Sequence, residues 1–271
     1  MKKIIALALA LALCLTVAAC GKKDDTGAKI AAQKGTTSLM YAEALANITT
    51  ASYDTFALAA KDMINGNADY LFVDKTTAKA LQKEISGLKI IEIALSSENY
   101  GIGIDKNQAD LKTKIDNILS EKATEIDAIK EKYMNGEEAK YVPVTSAAKN
   151  SGKAATQLVV ATNAEFAPWE YKEGNKYYGI DMEIAQLIAN ELGMELVIDD
   201  MEFDAVVTSV GKNNIDIAMA GLSVTATRKE SVNFSEVYYS GAYQVLVVLK
   251  ENTEFDACKT KADVEAILKA K

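Results

Sequence analysis

One pattern constrains this chain more than any other, and it occurs twice. Residues 53–64 place Phe56, Leu58, Ala59, Met63 and Ile64 on a broad apolar face, which predicts a helix. Asn65-Gly66-Asn67 stops it, and Ala68-Asp69-Tyr70-Leu71-Phe72-Val73-Asp74 follows with the continuous apolar run of a buried strand. Far along the chain, residues 203–210 read as a helix, Gly211-Lys-Asn-Asn214 as a break, and residues 215–220 as a strand that opens with Ile215-Asp216. Helices alternating with apolar strands predict the α/β class, and the recurrence of the unit predicts two similar lobes.

The remaining elements fit the same alternation. A strand is expected at 29–33, a turn at 34–38, a helix at 40–45, a helix running to 83, and strands at 89–95 and 100–104. Residues 108–134 carry Leu111, Ile115, Ile118, Leu119, Ile126 and Ile129 at helical spacing, as two helices. Periodicity then vanishes between 136 and 157, where Pro143 lies among Ser, Asn, Ala and Lys, and a linker is expected. Beyond it a strand is predicted at 158–162, a helix at 179–192 and a strand at 195–199.

Charge and composition remove whole classes of function. Lys plus Arg number 30 against 38 Asp plus Glu, a net charge of −8, and no cluster of basic residues occurs, so nucleic acid is a poor partner. The chain has no histidine, which excludes Ser-His-Asp and Cys-His triads and every His-containing zinc site. Gly101-Ile-Gly103 lacks the third glycine and the following helix of a dinucleotide loop. No cofactor and no metal site are expected, and the protein reads as a monomer.

The first residues read as an address. Lys2 and Lys3 precede an apolar run over 4–15, too short to span a bilayer and laid out as a secretory signal over 1–19. It ends Val17-Ala18-Ala19-Cys20, which resembles the lipobox of bacterial lipoproteins, where the cysteine is lipidated. An ordinary signal cut near Ala19 is the alternative. Residues 20–27 then form a tether that holds the domain at the outer face of the cell membrane. With Cys14 discarded and Cys20 acylated, Cys258 is the one remaining thiol and no intramolecular disulfide can form.

Several separated motifs carry a resemblance. Ala161-Thr-Asn-Ala-Glu-Phe-Ala-Pro-Trp-Glu-Tyr171, Gly179-Ile-Asp-Met-Glu183, Ala220-Gly-Leu-Ser-Val-Thr-Ala-Thr-Arg-Lys229 and Val232-Asn-Phe-Ser235 with Tyr238-Tyr239 resemble, in order and spacing, the opening half of the polar amino-acid solute-binding proteins of ABC importers. Gln33-Lys-Gly-Thr-Thr37, Asn65-Gly-Asn-Ala-Asp69, Asp74 and Tyr100-Gly-Ile-Gly-Ile104 are similar to that family's second lobe. The order is reversed, since the opening half stands last here. Thr260-Lys-Ala-Asp-Val-Glu-Ala-Ile-Leu-Lys269 resembles the helix that normally leads into the strand at 29–33. The resemblance therefore implies a two-lobed periplasmic-binding-protein-like fold with a hinge and an interlobe cleft, circularly permuted. Lobe 2 is expected from 28–98 plus 251–271, hinge strands at 99–105 and 245–250, and lobe 1 from 106–244, with 136–157 joining the family's usual termini.

What the resemblance implies about function can be laid on named residues. A free amino acid needs a partner for its carboxylate and another for its ammonium once both leave water. Arg228 matches the carboxylate-binding arginine, with Gly221 and Ser223 as backbone and hydroxyl donors. Asp74 matches the ammonium-binding aspartate, Thr36 and Thr37 match donors at a helix start, and Phe166 and Phe203 match aromatic residues that sandwich the ligand side chain. Bland alternatives stand beside these: Arg228 as a solvated helix start, Asp74 as a helix N-cap, Phe203 as core. Asn163 stands where several relatives that take basic or amide side chains carry an aspartate, which favours a neutral polar ligand, whereas Gln33 resembles some arginine-binding members. The expected function is capture of a neutral polar or basic amino acid and its delivery to the permease of an ABC importer, without catalysis. Two alternatives remain: a catalytic relative such as a cyclohexadienyl dehydratase, with Glu165 or Glu170 as general acid, and an amino-acid sensor lipoprotein without transport.

Overall fold

The computed structural model describes residues 27–271. The signal 1–19, Cys14, Cys20 and all of the tether except Gly27 lie outside the described residues.

The chain opens with β1 (Ala28–Gln33), α1 (Thr37–Glu43), β2 (Ile48–Tyr53), α2 (Phe56–Ile64), β3 (Tyr70–Asp74), α3 (Lys75–Glu84) and β4 (Leu88–Ile91). Each of the three helices starts on a side chain that accepts a free backbone N–H: Thr36 from Leu39, Thr55 from Leu58, and Asp74 from Thr76. The middle of the chain carries β5 (Glu98–Tyr100), β6 (Gly103–Ile104), α4 (Ala109–Glu121) and α5 (Ala123–Met134). Then follow β7 (Gln157–Thr162), β8 (Glu165–Phe166), β9 (Glu170–Glu173), β10 (Lys176–Tyr178), α6 (Ile180–Leu192), β11 (Glu195–Asp200) and α7 (Phe203–Ser209). The chain closes with β12 (Ile217–Ala218), α8 (Ala226–Ser231), β13 (Asn233–Phe234), β14 (Tyr239–Ala242), β15 (Gln244–Leu249) and α9 (Lys261–Lys269).

Two five-stranded sheets result, and they share one plan. The first runs β2-β1-β3-β15-β4 and the second β11-β7-β12-β6-β13. In each, the first three strands are parallel and the fourth is antiparallel to both its neighbours. That fourth strand comes from a distant part of the chain: β15 inserts beside β3, and β6 inserts beside β12. The twofold recurrence in the sequence is thus a twofold recurrence of sheet topology, and the α/β, two-lobed class holds.

Several boundaries differ from the sequence reading. Residues 48–53 form β2, whose Ile-Thr-Thr-Ala-Ser-Tyr sequence has no apolar run because it is an edge strand exposed along one side. The strand expected at 245–250 is β15. Gln244–Leu249 is apolar on both faces, and such a strand is driven to the middle of a sheet, between β3 and β4. From the expected hinge segment 99–105, Gly103 and Ile104 pair with β12 and β13 in the second sheet. β5 pairs antiparallel with β14 in a separate two-stranded ribbon. The expected linker 136–157 is tied down along much of its length: Val144 and Tyr177 exchange backbone hydrogen bonds of 2.8 and 2.9 Å, and the Ala147 N–H donates to the Leu196 carbonyl at 2.9 Å.

The last helix belongs with the first strands. Val264 and Leu268 are fully buried in a cluster with Ile30, Tyr70, Phe72, Leu246 and Val248. Thr260 and Asp263 form a reciprocal capping box at its start. The Tyr41 hydroxyl donates to Glu265 at 2.6 Å, and Asn47 Nδ2 donates to the Lys269 carbonyl at 3.3 Å.

Candidate functional site

Between the two sheets, residues far apart in sequence close around one small cavity. Nine of the ten residues singled out from the sequence line it: Gln33, Thr36, Thr37, Asp74, Phe166, Phe203, Gly221, Ser223 and Arg228. Asn163 sits just behind, accepting from Gln33 Nε2 at 2.9 Å across the cleft and donating to the Met201 carbonyl at 2.9 Å. The free space is about 20 Å³, enough for about one water molecule and far short of an amino acid. The cleft is closed. A wider hollow of about 690 Å³ between α5 and α6 has a mixed charged, polar and apolar border and holds none of these residues.

Arg228 sits in the first turn of α8, which Thr225 caps, and is 7% exposed. Its Nη1 donates to the Ser223 carbonyl at 3.0 Å and its Nη2 to the Gly35 carbonyl of the opposite lobe at 3.2 Å. The guanidinium carbon lies 5.5 Å from the centre of the Phe203 ring. No carboxylate lies within 4 Å of it among the described residues. Burial lowers its proton affinity to about 10, partly opposed by the negative charge of Glu98. A buried guanidinium held by two carbonyls, with N–H groups to spare, is chemically suited to a carboxylate.

Asp74 combines the two roles weighed from the sequence: it caps α3 and it lines the cleft. One carboxylate oxygen accepts from the Thr76 N–H at 2.9 Å and the Thr76 hydroxyl at 2.6 Å; the other accepts from the Tyr100 hydroxyl at 2.6 Å. Burial nevertheless raises its pKa against these three hydrogen bonds. Trp169 Nε1 donates to the Thr76 hydroxyl at 2.9 Å, and its ring meets Tyr100 edge to face at 4.8 Å.

In this closed cleft the groups expected as donors are engaged with protein acceptors. A hydroxyl has a single proton. Thr36 gives its own to the Gln33 carbonyl at 2.7 Å while it caps α1. Thr37 and Ser223 give theirs to Glu98, at 2.8 Å for Thr37 and closer still for Ser223. The Gly221 N–H donates at 2.8 Å to the buried Asp181, away from the cleft. Gly221 has φ +53°, and a Cβ there would stand 2.8 Å from the Phe166 ring, so glycine is required where backbone and aromatic ring meet. Phe166 packs on Phe56 at 5.7 Å and Phe203 lies over Arg228, so neither ring's described partner is the other.

Glu98, Tyr100 and Gln244 escaped the sequence reading as site residues. Tyr100 and Gln244 line the cavity, and Glu98 gathers hydrogen bonds from both lobes. Tyr100 lay in view inside a quoted motif, but Glu98 and Gln244 carried no local signal at all. Glu165 and Glu170, weighed as general acids, do not line the cavity. Glu170 is fully buried, its two carboxylate oxygens have no hydrogen-bond partner among the described residues, and its pKa is pushed well up by burial.

Residues 158–270 match the model of the bacterial extracellular solute-binding proteins, family 3. This segment, the last two-fifths of the chain, is similar to the family 3 solute-binding proteins. It is 32% identical over 115 residues to the arginine-binding extracellular protein ArtP of Bacillus subtilis (strain 168), covering 42% of this chain and 44% of that one. It is 29% identical over 99 residues to the cyclohexadienyl dehydratase of Pseudomonas aeruginosa, covering 36% of this chain and 37% of that one. The chain thus spans under half the length of these curated relatives. Among solved structures, the arginine-bound domain 1 from TmArgBP is 31% identical, covering 46% of this chain and 100% of that one, with a TM-score of 0.32. The curated proteins similar to this chain are mostly binding proteins, with an enzyme among them. No described helix is long and apolar enough to cross a membrane.

Proposed function

We propose that this protein captures a free L-amino acid between its two lobes and delivers it to the permease of an ABC importer, held at the outer face of the membrane by a lipid on Cys20. The observation that carries the reading is the buried Arg228 guanidinium, without a carboxylate partner among the described residues, lining the same closed cleft as Asp74. These two groups match the two ends of an amino acid. Glu98 adds a second negative charge beside Asp74, which compensates for Asn163 standing where an acid would favour a cationic side chain. Two carboxylates against one guanidinium favour a basic ligand, and L-arginine, the ligand named for ArtP, is the first to test.

A thermal-shift screen of the twenty amino acids on residues 21–271 tests this. A ligand at 100 times its dissociation constant adds about 2.7 kcal/mol of stability. L-Arginine is expected to raise the unfolding midpoint, and Glu and Asp to leave it unchanged. A flat response across all twenty removes the amino-acid reading. Catalysis of the dehydratase kind is disfavoured by the placement of Glu165 and Glu170 outside the cavity lining.

The order of segments supports a circular permutation. A family match confined to 158–270, and a first sheet that takes β1–β4 from one end of the described chain and β15 with α9 from the other, fit a chain whose usual ends are joined through 136–157. Joining 271 to 28 and reopening the chain within 136–157 is expected to retain binding.

A further inference from the structure

We propose that Glu98 is a positioning residue that makes the cleft selective for a ligand's ammonium group, by drawing the hydroxyl protons of Thr37 and Ser223 onto its own carboxylate. The proposal rests on the amino-acid reading above.

Four donors converge on Glu98. Oε2 accepts from the hydroxyls of Thr37 and Ser223, and Oε1 from the Ser96 hydroxyl at 2.6 Å and from Gln244 Nε2 at 3.1 Å. They come from both lobes, with Thr37 in the first turn of α1, Gln244 at the start of β15 and Ser223 ahead of α8.

A carboxylate has no proton to give, so these bonds have one direction. Each hydroxyl spends its single proton on Glu98 and keeps only lone pairs for anything else. Gln244 Nε2 also reaches the Thr37 oxygen at 3.3 Å, which leaves Thr37 one lone pair. Both residues line the cavity, so what they can offer a ligand is acceptance alone. An ammonium group, which only donates, is satisfied by such oxygens; a carboxylate, which only accepts, is rejected by them.

Recognition is thereby divided. The carboxylate falls to Arg228 and the ammonium to Asp74 with the two hydroxyl oxygens. Glu98 touches no ligand in this division and acts through Thr37 and Ser223. Its charge reaches both ends of the site, raising the proton affinity of Asp74 and of Arg228.

The test is Glu98→Gln, nearly the same shape, whose amide can donate as well as accept and so releases the hydroxyls to turn. Calorimetry at pH 7 compares L-arginine with 5-guanidinopentanoate, its analogue without the amino group, on wild type and variant. The expected result is a tenfold or greater loss of arginine affinity with less than a threefold change for the analogue. Equal losses for both compounds would make Glu98 a structural brace and overturn the proposal. A gain in arginine affinity would make it a plug competing with the ligand carboxylate, which also overturns it. Wild type that binds no L-arginine removes the ligand reading and this inference together, so the two failures are told apart by the wild-type titration. If the variant fails to fold, Ser223→Ala gives the same comparison, with the same preferential loss of arginine expected and equal losses again overturning the proposal.

Discussion

At the scale of single residues, Asp74 shows how one side chain serves fold and site together. Its carboxylate caps α3 through the Thr76 N–H and faces the cleft with a bond from Tyr100. Asn caps a helix about as well as Asp, whereas Ala costs about 1 kcal/mol at that position. Asp74→Asn is therefore expected to keep the ligand-free unfolding midpoint within a few degrees of wild type and to lose arginine binding at least tenfold. Asp74→Ala should lose both. Denaturant unfolding and calorimetry on the two variants separate the roles, and full-strength binding by Asp74→Asn would show that the charge is not the ammonium partner. Arg228 and Asp74 were legible in the sequence because each sits inside a motif of fixed spacing. Glu98 was not, because its four partners lie up to 146 residues away and no local pattern announces them.

Among the elements, the helices were the most legible and the pairing of strands the least. Apolar spacing is local, and it places α2, expected over 53–64, close to its observed Phe56–Ile64. Which strand a strand pairs with is a non-local matter, and β15 shows it: the sequence marks a strand there, and only the fold makes it the fourth strand of the first sheet. The C-terminal segment gives an element-scale prediction. Phe255, Val264 and Leu268 bury their side chains in the cluster beneath the first sheet, in lobe 2, and each is worth about 1.5–3 kcal/mol. Their sum is a large share of the 5–15 kcal/mol that holds a typical domain. Deleting residues 251–271 is expected to unfold that lobe and abolish arginine binding, read by circular dichroism and calorimetry. A deletion variant with an unchanged melt would detach α9 from the first sheet.

For the whole molecule, the buried carboxylates set the pH at which the fold is firmest. Burial pushes Asp181 up to about 7, against bonds from the Gly221 N–H and the Tyr238 hydroxyl, and moves Asp74 and Glu170 in the same direction. An unfolded Asp releases its proton near 3.8, so as pH rises from about 4 to 7 the folded chain holds protons that the unfolded chain has lost. Stability falls across that window. Asp62, Glu254, Asp263 and Glu265 are held low by hydrogen-bonded partners, and the stability they add is lost below about pH 4. The unfolding midpoint without ligand is expected to be higher at pH 5 than at pH 7.5, with a smaller difference in Asp181→Asn. Calorimetric scans that show the midpoint rising from pH 5 to 7.5 would contradict this assignment.

The sequence by itself determined the alternation of helix and strand, its recurrence in two lobes and the residue types that line the cleft, because periodicity, caps and motif spacing are written along the chain. Only the tertiary structure decided which strand completes each sheet, which residue stands behind the site and where each hydroxyl proton points. Those depend on groups brought together across the cleft, such as Gln33 with Asn163, 130 residues apart. A donor's direction is set by the acceptor that folding places beside it, and that acceptor is not its neighbour in sequence.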